Sequence, residues 1–317
     1  MEQQTYRRDL YSTRRAYEYM GVHREGKGFV FRVWAPRAQA VFAVGDFNFW
    51  SESAPMVRTD KDGIWECKIS GDGFGNGSLY KFKLIVDGRE LYRADPYAFC
   101  MENGGQGASR FFESTHSWGD GGWFGHRASS NGSHISIYNV DIVSECRRFN
   151  GSCEDIALLI ASRAKAEGNT HIGLRAIYDA PHDGGTGLAV TGFFAPSYHL
   201  GDPDALCAFV DYMHRAGVGV ILDWSPEWLS RHERGIALYD GYPLYEDARY
   251  DGLALAHFDI SKDAVRSFLL SNALFWADRY HADGLRVRAS DLNFEKFLGE
   301  IGEAMGEFFP NVILVWG

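Results

Sequence analysis

Arg286 and Arg288 stand two residues apart in Gly284-Leu-Arg-Val-Arg-Ala-Ser290, a segment whose first four residues read as a strand. Side chains i and i+2 of an extended chain share a face, so the two guanidiniums project together. Arginine stays protonated at any workable pH. Such a pair can neither attack as a nucleophile nor serve as a proton donor, and it opposes a developing positive charge. It suits carboxylate binding, and Asp223 and Asp283 are the acids expected as its partners. Glu227 and Asp291 fall near the ends of the third and fourth expected strands of their region, with Asp183 and Asp259 in nearby loops. These four are read as loop solvation or helix caps rather than as catalytic replacements, Asp291 being placed to cap the helix that follows.

Two kinds of element must position these groups. From 16 to 113, short β-rich runs such as Phe29-Val-Phe-Arg-Val-Trp34, Ala40-Val-Phe-Ala-Val44 and Leu79-Tyr-Lys-Phe-Lys-Leu-Ile-Val86 are broken by turn residues, the pattern of an antiparallel β-sandwich. Asp87-Gly88 marks a hairpin. Gly71-Asp-Gly-Phe-Gly-Asn-Gly77 lacks the Lys-Ser/Thr of a phosphate loop and reads as a turn. A Gly/Ser-rich linker is expected over 114–133, after which strands and helices alternate: strands at 135–142, 171–177, 218–223, 284–287 and 312–316, helices at 153–167, 203–216, 262–280 and 294–308. That alternation predicts parallel β/α units. Residues 134–317 fall short of the ~250 that a complete eight-fold barrel takes, so an incomplete barrel of about five strands is expected. Its open edges would be covered by a second copy or a partner chain, unless the sequence is a fragment. Residues 1–15 are left as an N-terminal extension.

Composition narrows the function. The chain has 317 residues, 45% hydrophobic and 15% aromatic, enough for two globular domains. Its 42 acidic residues outweigh 32 basic ones, and no basic block suggests a nucleic-acid partner. No apolar run approaches the ~20 residues of a membrane span, and Met1–Arg15 fits no secretory signal. Five cysteines, Cys67, Cys100, Cys146, Cys153 and Cys207, show no metal-ligand spacing; free thiols in a reducing cytoplasm are expected, with no metal and no cofactor.

Several ordered blocks together carry a resemblance. Arg15-Ala-Tyr-Glu-Tyr-Met-Gly21, Phe31-Arg-Val-Trp-Ala-Pro36, Val44-Gly-Asp-Phe-Asn-Phe-Trp50, Tyr80-Lys-Phe-Lys83 and Asp95-Pro-Tyr-Ala98 are followed by Val190-Thr-Gly-Phe-Phe-Ala-Pro196 and Gly217-Val-Gly-Val-Ile-Leu-Asp-Trp-Ser-Pro226. Over essentially its whole length the chain is similar to the N-terminal half of bacterial glycogen (1,4-α-glucan) branching enzymes of the α-amylase superfamily. The resemblance implies an immunoglobulin-like, glucan-binding-type β-sandwich followed by part of a (β/α)8 barrel. In related modules the tryptophan and lysine at positions 50 and 81 contact glucan, which selects Trp50 and Lys81 here; Tyr92 stands where a further aromatic contact is expected.

The same resemblance implies a damaged catalytic centre. The family pattern on the fourth barrel strand is GLRVDA-like, and its aspartate forms the glycosyl intermediate; here that position is Arg288. Asp223 and Arg286 match retained family positions, whereas the histidine after the third strand is Trp228, the sugar-platform tyrosine is Leu188, and the general-acid position falls at about Gly317. Retaining transfer needs two carboxyl groups about 5–5.5 Å apart, and no such pair can be assigned. The expectation is a glycogen-associated protein inactive by itself; the alternatives are an enzyme active only with a partner chain and a decayed product without selected function.

Overall fold

The computed structural model describes residues 14–59, 61–104, 106–129, 134–149, 152–181, 188–289 and 293–316. Asp183, Asp291, Gly317 and most of the 1–15 extension lie outside them.

Alternation along β6 sends every second side chain inward, whereas β2 buries consecutive residues such as Val30 and Phe31. Strands β1 (Gly21–Glu25), β2 (Gly28–Trp34), β3 (Ala40–Gly45), β4 (Val57–Arg58), β5 (Ile64–Ser70), β6 (Leu79–Val86), β7 (Arg89–Arg93) and β8 (Ser109–Arg110) build two antiparallel sheets. Their orders are β1-β2-β5-β4 and β3-β6-β7, with β8 pairing β6. On β6, Tyr80, Phe82, Leu84 and Val86 are buried, while Lys81 and Lys83 occupy the opposite face. Phe29 meets Phe74 and Phe111 edge to face at ring distances of 4.9 Å, the geometry that aromatic quadrupoles favour. The β6–β7 hairpin turns at Asp87 and Gly88, both left-handed (φ 49° and 72°), as the primed hairpin turns require. Residues 71–78 connect β5 to β6 as turns, as read from the sequence.

The expected linker is structured in part. Helix α1 (Gly121–Ser129) lies within it, and Trp123 is buried and donates to Asp283 Oδ1 at 2.7 Å. A glycine-rich composition concealed this helix because its docking depends on two residues, Asp120 and Trp123, whose partners are 94 and 160 residues away.

The second unit contains β9 (Ile137–Asp141), α2 (Ile142–Arg148), α3 (Cys153–Ala166), β10 (His171–Arg175), β11 (Tyr178–Asp179), β12 (Gly192–Pro196), α4 (Pro203–Arg215), β13 (Gly219–Trp224), β14 (Trp228–Ser230), β15 (Leu255–His257), α5 (Asp263–Arg279), β16 (Gly284–Val287), α6 (Asn293–Phe308) and β17 (Ile313–Trp316). Five strands form one parallel sheet in chain order, β9-β10-β13-β16-β17. All six residues of β13 are buried, as befits a central parallel strand covered on both faces. Local signals start the helices: Asp202 caps α4 through Ala205 N with Pro203 in its first turn, and Ser152 and Asp155 form a capping box on α3. The expected strand 135–142 is shorter, because Asp141 caps α2 and turns the chain into a helix at Ile142.

Sandwich and parallel sheet share one continuous apolar core. Tyr97 stacks on Phe194 at 4.9 Å and Phe99 on Phe275 at 5.1 Å. Polar contacts reinforce this seam: Arg93 donates to the carbonyls of Leu238 and Tyr239, and the Tyr239 hydroxyl donates to Ala94 O at 2.8 Å. Among the described residues no helix is long and apolar enough to cross a membrane.

Candidate functional sites

The parallel sheet brings Asp223, Arg286 and Arg288 to the C-terminal ends of β13 and β16, the face at which barrels of this type do chemistry. Asp223 and Arg286 are register partners. Arg286 Nε donates to Asp223 Oδ1 at 2.6 Å, and its Nη1 donates to Asn139 Oδ1 on β9 at 2.7 Å. Arg288 Nη2 lies 2.9 Å from Asp223 Oδ2. One nearly buried carboxylate is therefore held by two guanidiniums. The main chain at Arg288 is pinned too, its N–H donating to Trp224 O at 2.8 Å and its carbonyl accepting from Ser225 Oγ.

Reaching Asn139 takes the Arg286 side chain past Gly173 on β10. A Cβ placed at Gly173 would lie 3.1 Å from the Arg286 guanidinium, 3.1 Å from Asn139 Oδ1 and 2.9 Å from Ile137 Cγ2. The glycine thus opens the passage. Neither Asn139 nor Gly173 was singled out from sequence; an inward-facing asparagine in the first strand was the available signal.

Asp283, the other acid expected beside the arginines, faces the opposite end of the strand. Its Oδ2 accepts from Val220 N at 2.7 Å and meets His214 Nε2 at 2.9 Å, while His214 Nδ1 meets Asp120 Oδ2 at 2.9 Å. Here a buried imidazole between two carboxylates, stacked on Trp123, ties α4 and the segment before α1 to the sheet. Burial disfavours the charged His214 ring, but its hydrogen bonds to the Asp120 and Asp283 carboxylates, with their negative charge, outweigh it and raise its pKa.

The other acids are engaged elsewhere. Glu227 is buried and accepts from Trp228 Nε1 at 3.0 Å, and Asp259 binds Ser261 and Lys262. Tyr178, within the field of Asp223, is pushed far up, by burial first and then by that charge. Leu188 and Trp228 are both half-buried, and Trp228 packs edge to face on His257.

On the sandwich, the three residues expected to contact a ligand differ in their engagement. Trp50 is 39% exposed and follows Phe49, which is 93% exposed. Both adopt left-handed backbone angles, φ 60° and 53°, an uncommon conformation for large side chains. Tyr92 on β7 is 44% exposed. Lys81, however, is half-buried and donates to Gln106 O at 2.6 Å; burial pulls its ammonium pKa down. The lysine next to Tyr92 is Lys83, its register partner, whose Nζ sits 5.5 Å from the Tyr92 ring centre and bonds Glu52 and Glu90. The signal for Lys83 was already in Tyr80-Lys-Phe-Lys83, since positions 81 and 83 point to one face.

Comparison with known proteins agrees with this architecture. Residues 19–98 match the model of carbohydrate-binding module 48 (isoamylase N-terminal domain). The 1,4-alpha-glucan branching enzyme GlgB of Salinibacter ruber is 36% identical over 316 residues, an alignment covering 94% of this chain and 49% of that enzyme. The corresponding enzyme of Fusobacterium nucleatum is 33% identical, with 99% and 55% covered. The chain spans about half the length of the curated relatives it matches. Among solved structures, a pullulanase from Paenibacillus barengoltzii complexed with maltotriose superposes with a TM-score of 0.73 at 19% identity, covering 94% of this chain and 53% of the pullulanase. The catalytic module of the glycogen-degrading pneumococcal virulence factor SpuA gives 0.72 at 16%, with 95% and 51% covered. At such identities the structural likeness speaks for the fold: a β-sandwich followed by part of an α-amylase-type parallel α/β domain.

Proposed function

We propose that this chain, an α-amylase-family protein similar to 1,4-α-glucan branching enzymes and carrying an N-terminal carbohydrate-binding module 48, associates with α-glucan in the cytoplasm and does not transfer glucosyl units by itself. The observation that carries the second half is the ion pair between Arg288 and Asp223. A guanidinium at the strand position expected to hold the nucleophile cannot form a glycosyl ester, and it repels an oxocarbenium-like transition state. Asp223, bound on both oxygens, is a structural anion in this reading rather than a reactive one.

Glucan association draws on the sandwich. The module match and the exposed Trp50 and Tyr92 rings supply faces on which sugar C–H groups can stack. Five free thiols accord with a reducing compartment. The test is a glycogen pull-down of the purified chain beside Trp50→Ala, with a branching assay on amylose. Retention that Trp50→Ala abolishes, without branching, is the expected result; branching by the unmodified chain would overturn the inactive reading, and no retention of folded chain would overturn glucan association.

A second reading rests on β9 and β17, the outer strands of the parallel sheet. A partner chain pairing with them could contribute acids that the described residues do not place at the site. In that complex Arg288→Asp should raise transfer activity, and an unchanged rate would remove Arg288 as the block.

A further inference from the structure

We infer that the concave face of the parallel sheet, at the C-terminal ends of β10, β13 and β16, is an anion site for a phosphate-sized group, whether free phosphate or the phosphoryl group of a sugar phosphate. This goes beyond glucan association, which draws on the sandwich, and does not depend on it.

Alternation decides which side chains meet there. The Cβ direction of Gly173 leads to Arg286 and Asn139, so Arg175, two residues further along β10, projects to the same side. Arg175 pairs in register with Asp141 on β9 and follows Leu174, the partner of Leu222, which sets it level with Asp223. It is exposed and has no hydrogen-bond or ion-pair partner among the described residues. Arg288 is 48% exposed and places one nitrogen, Nη2, on Asp223; its other donors are open. Asn139 is exposed too, and its Oδ1 is taken by Arg286, which leaves its amide nitrogen as a further donor.

The acids at this end are engaged. Asp223 is held on both oxygens by Arg286 and Arg288, and Asp141 Oδ1 accepts from Ser144 N at the cap of α2. Asp179 and Glu227, in the segments just past β10 and β13, are buried and bonded to Thr191 and Trp228. Arg175, Arg286 and Arg288 therefore outnumber Asp141 and Asp223, and the face is positive in a chain whose net charge is −10. Its open groups are chiefly N–H donors. A neutral sugar draws on acceptors as well as donors, whereas an oxyanion draws on donors alone. Guanidiniums match phosphate oxygens in geometry and charge, and a bound anion relieves the repulsion among them.

Titration calorimetry of the full chain in low-salt, phosphate-free buffer tests this with inorganic phosphate and with glucose 6-phosphate. The variants are Arg175→Gln, Arg288→Gln and, as a control of equal charge on the sandwich, Lys68→Gln, each checked for an intact thermal transition. Arg175 has no partner to strand, and Arg288→Gln leaves Arg286 on Asp223, so the fold is preserved. Each arginine change should weaken both phosphates about tenfold, the size of one hydrogen bond to a charged group. Lys68→Gln should change either affinity less than about twofold, and added sodium chloride should weaken both. Equal affinities for the two ligands would support the site with the free ion as its ligand, and tighter glucose 6-phosphate would support it with a sugar phosphate. No binding of either at millimolar concentration would overturn the inference. So would a loss in Lys68→Gln as large as in the arginine variants, since the attraction would then be that of net charge alone.

Discussion

The Tyr80 hydroxyl donates to Asp95 Oδ2 at 2.7 Å, and both side chains are buried where the sandwich meets the second unit. Burial pushes the Asp95 carboxyl up to about 7, even though Tyr97 N–H and Tyr80 favour its charged form. The folded state therefore holds a proton that the unfolded chain, with an aspartate near 3.9, has released. This contribution to stability is full below about pH 4 and is lost as pH rises towards 7, at no more than about 1.4 kcal/mol per pH unit. Urea midpoints between pH 4.5 and 7.5 should fall with pH in the unmodified chain and flatten in Asp95→Asn.

His214 shifts stability in a higher window. Its raised pKa means that the charged ring contributes fully below the unfolded value of about 6.5 and loses that contribution as pH rises through the folded one. His214→Gln removes a charged partner from two buried carboxylates, although Asp283 keeps Val220 N and Trp123 Nε1 and Asp120 keeps His281, so a loss of about 2 kcal/mol is expected at pH 6 and a smaller one at pH 9. Equal losses at both pH values would show that the ring is neutral between Asp120 and Asp283.

The two arginines on Asp223 should differ in weight. Arg286 is largely buried and also holds Asn139, so Arg286→Ala leaves part of a buried network unpaired and should cost about 3 kcal/mol. Arg288 is 48% exposed; its removal leaves Arg286 in place and should cost less than about 1 kcal/mol after solvent screening. Chemical denaturation of the two variants and the double variant gives both numbers and their coupling.

Gly173→Ala tests the passage between β9 and β16. The added Cβ presses on Ile137 and on the Arg286–Asn139 contact, and a loss of about 1–3 kcal/mol is expected from overpacking. Combined with Arg286→Ala, which vacates the guanidinium, the glycine substitution should become milder. An unchanged penalty would place the crowding at Ile137 instead.

The principal strands and helices were legible from local pattern, such as period-two alternation in β6, a β-branched and aromatic run in β2, an apolar run ahead of Asp223 in β13, and caps at Ser152 and Asp202, whereas α1, α2 and the short strands β11, β12, β14 and β15 were not. Ordered family blocks made the sandwich and the parallel units recognisable as well, and the identity of Arg288 needed no coordinates. What the chain could not reveal on its own depended on partners distant in sequence. Lys81 and Lys83 are equivalent by alternation, and only the tertiary structure, bringing Gln106 to one and Glu52 with Glu90 to the other, distinguishes them. Likewise, Asp223 and Asp283 were equal candidates for the arginines until the parallel register set Asp223 beside Arg286 and turned Asp283 toward His214 at the other end of the strand. Residue type determines which charges exist; their pairing and their exclusion from water are decided by packing, which local sequence does not encode.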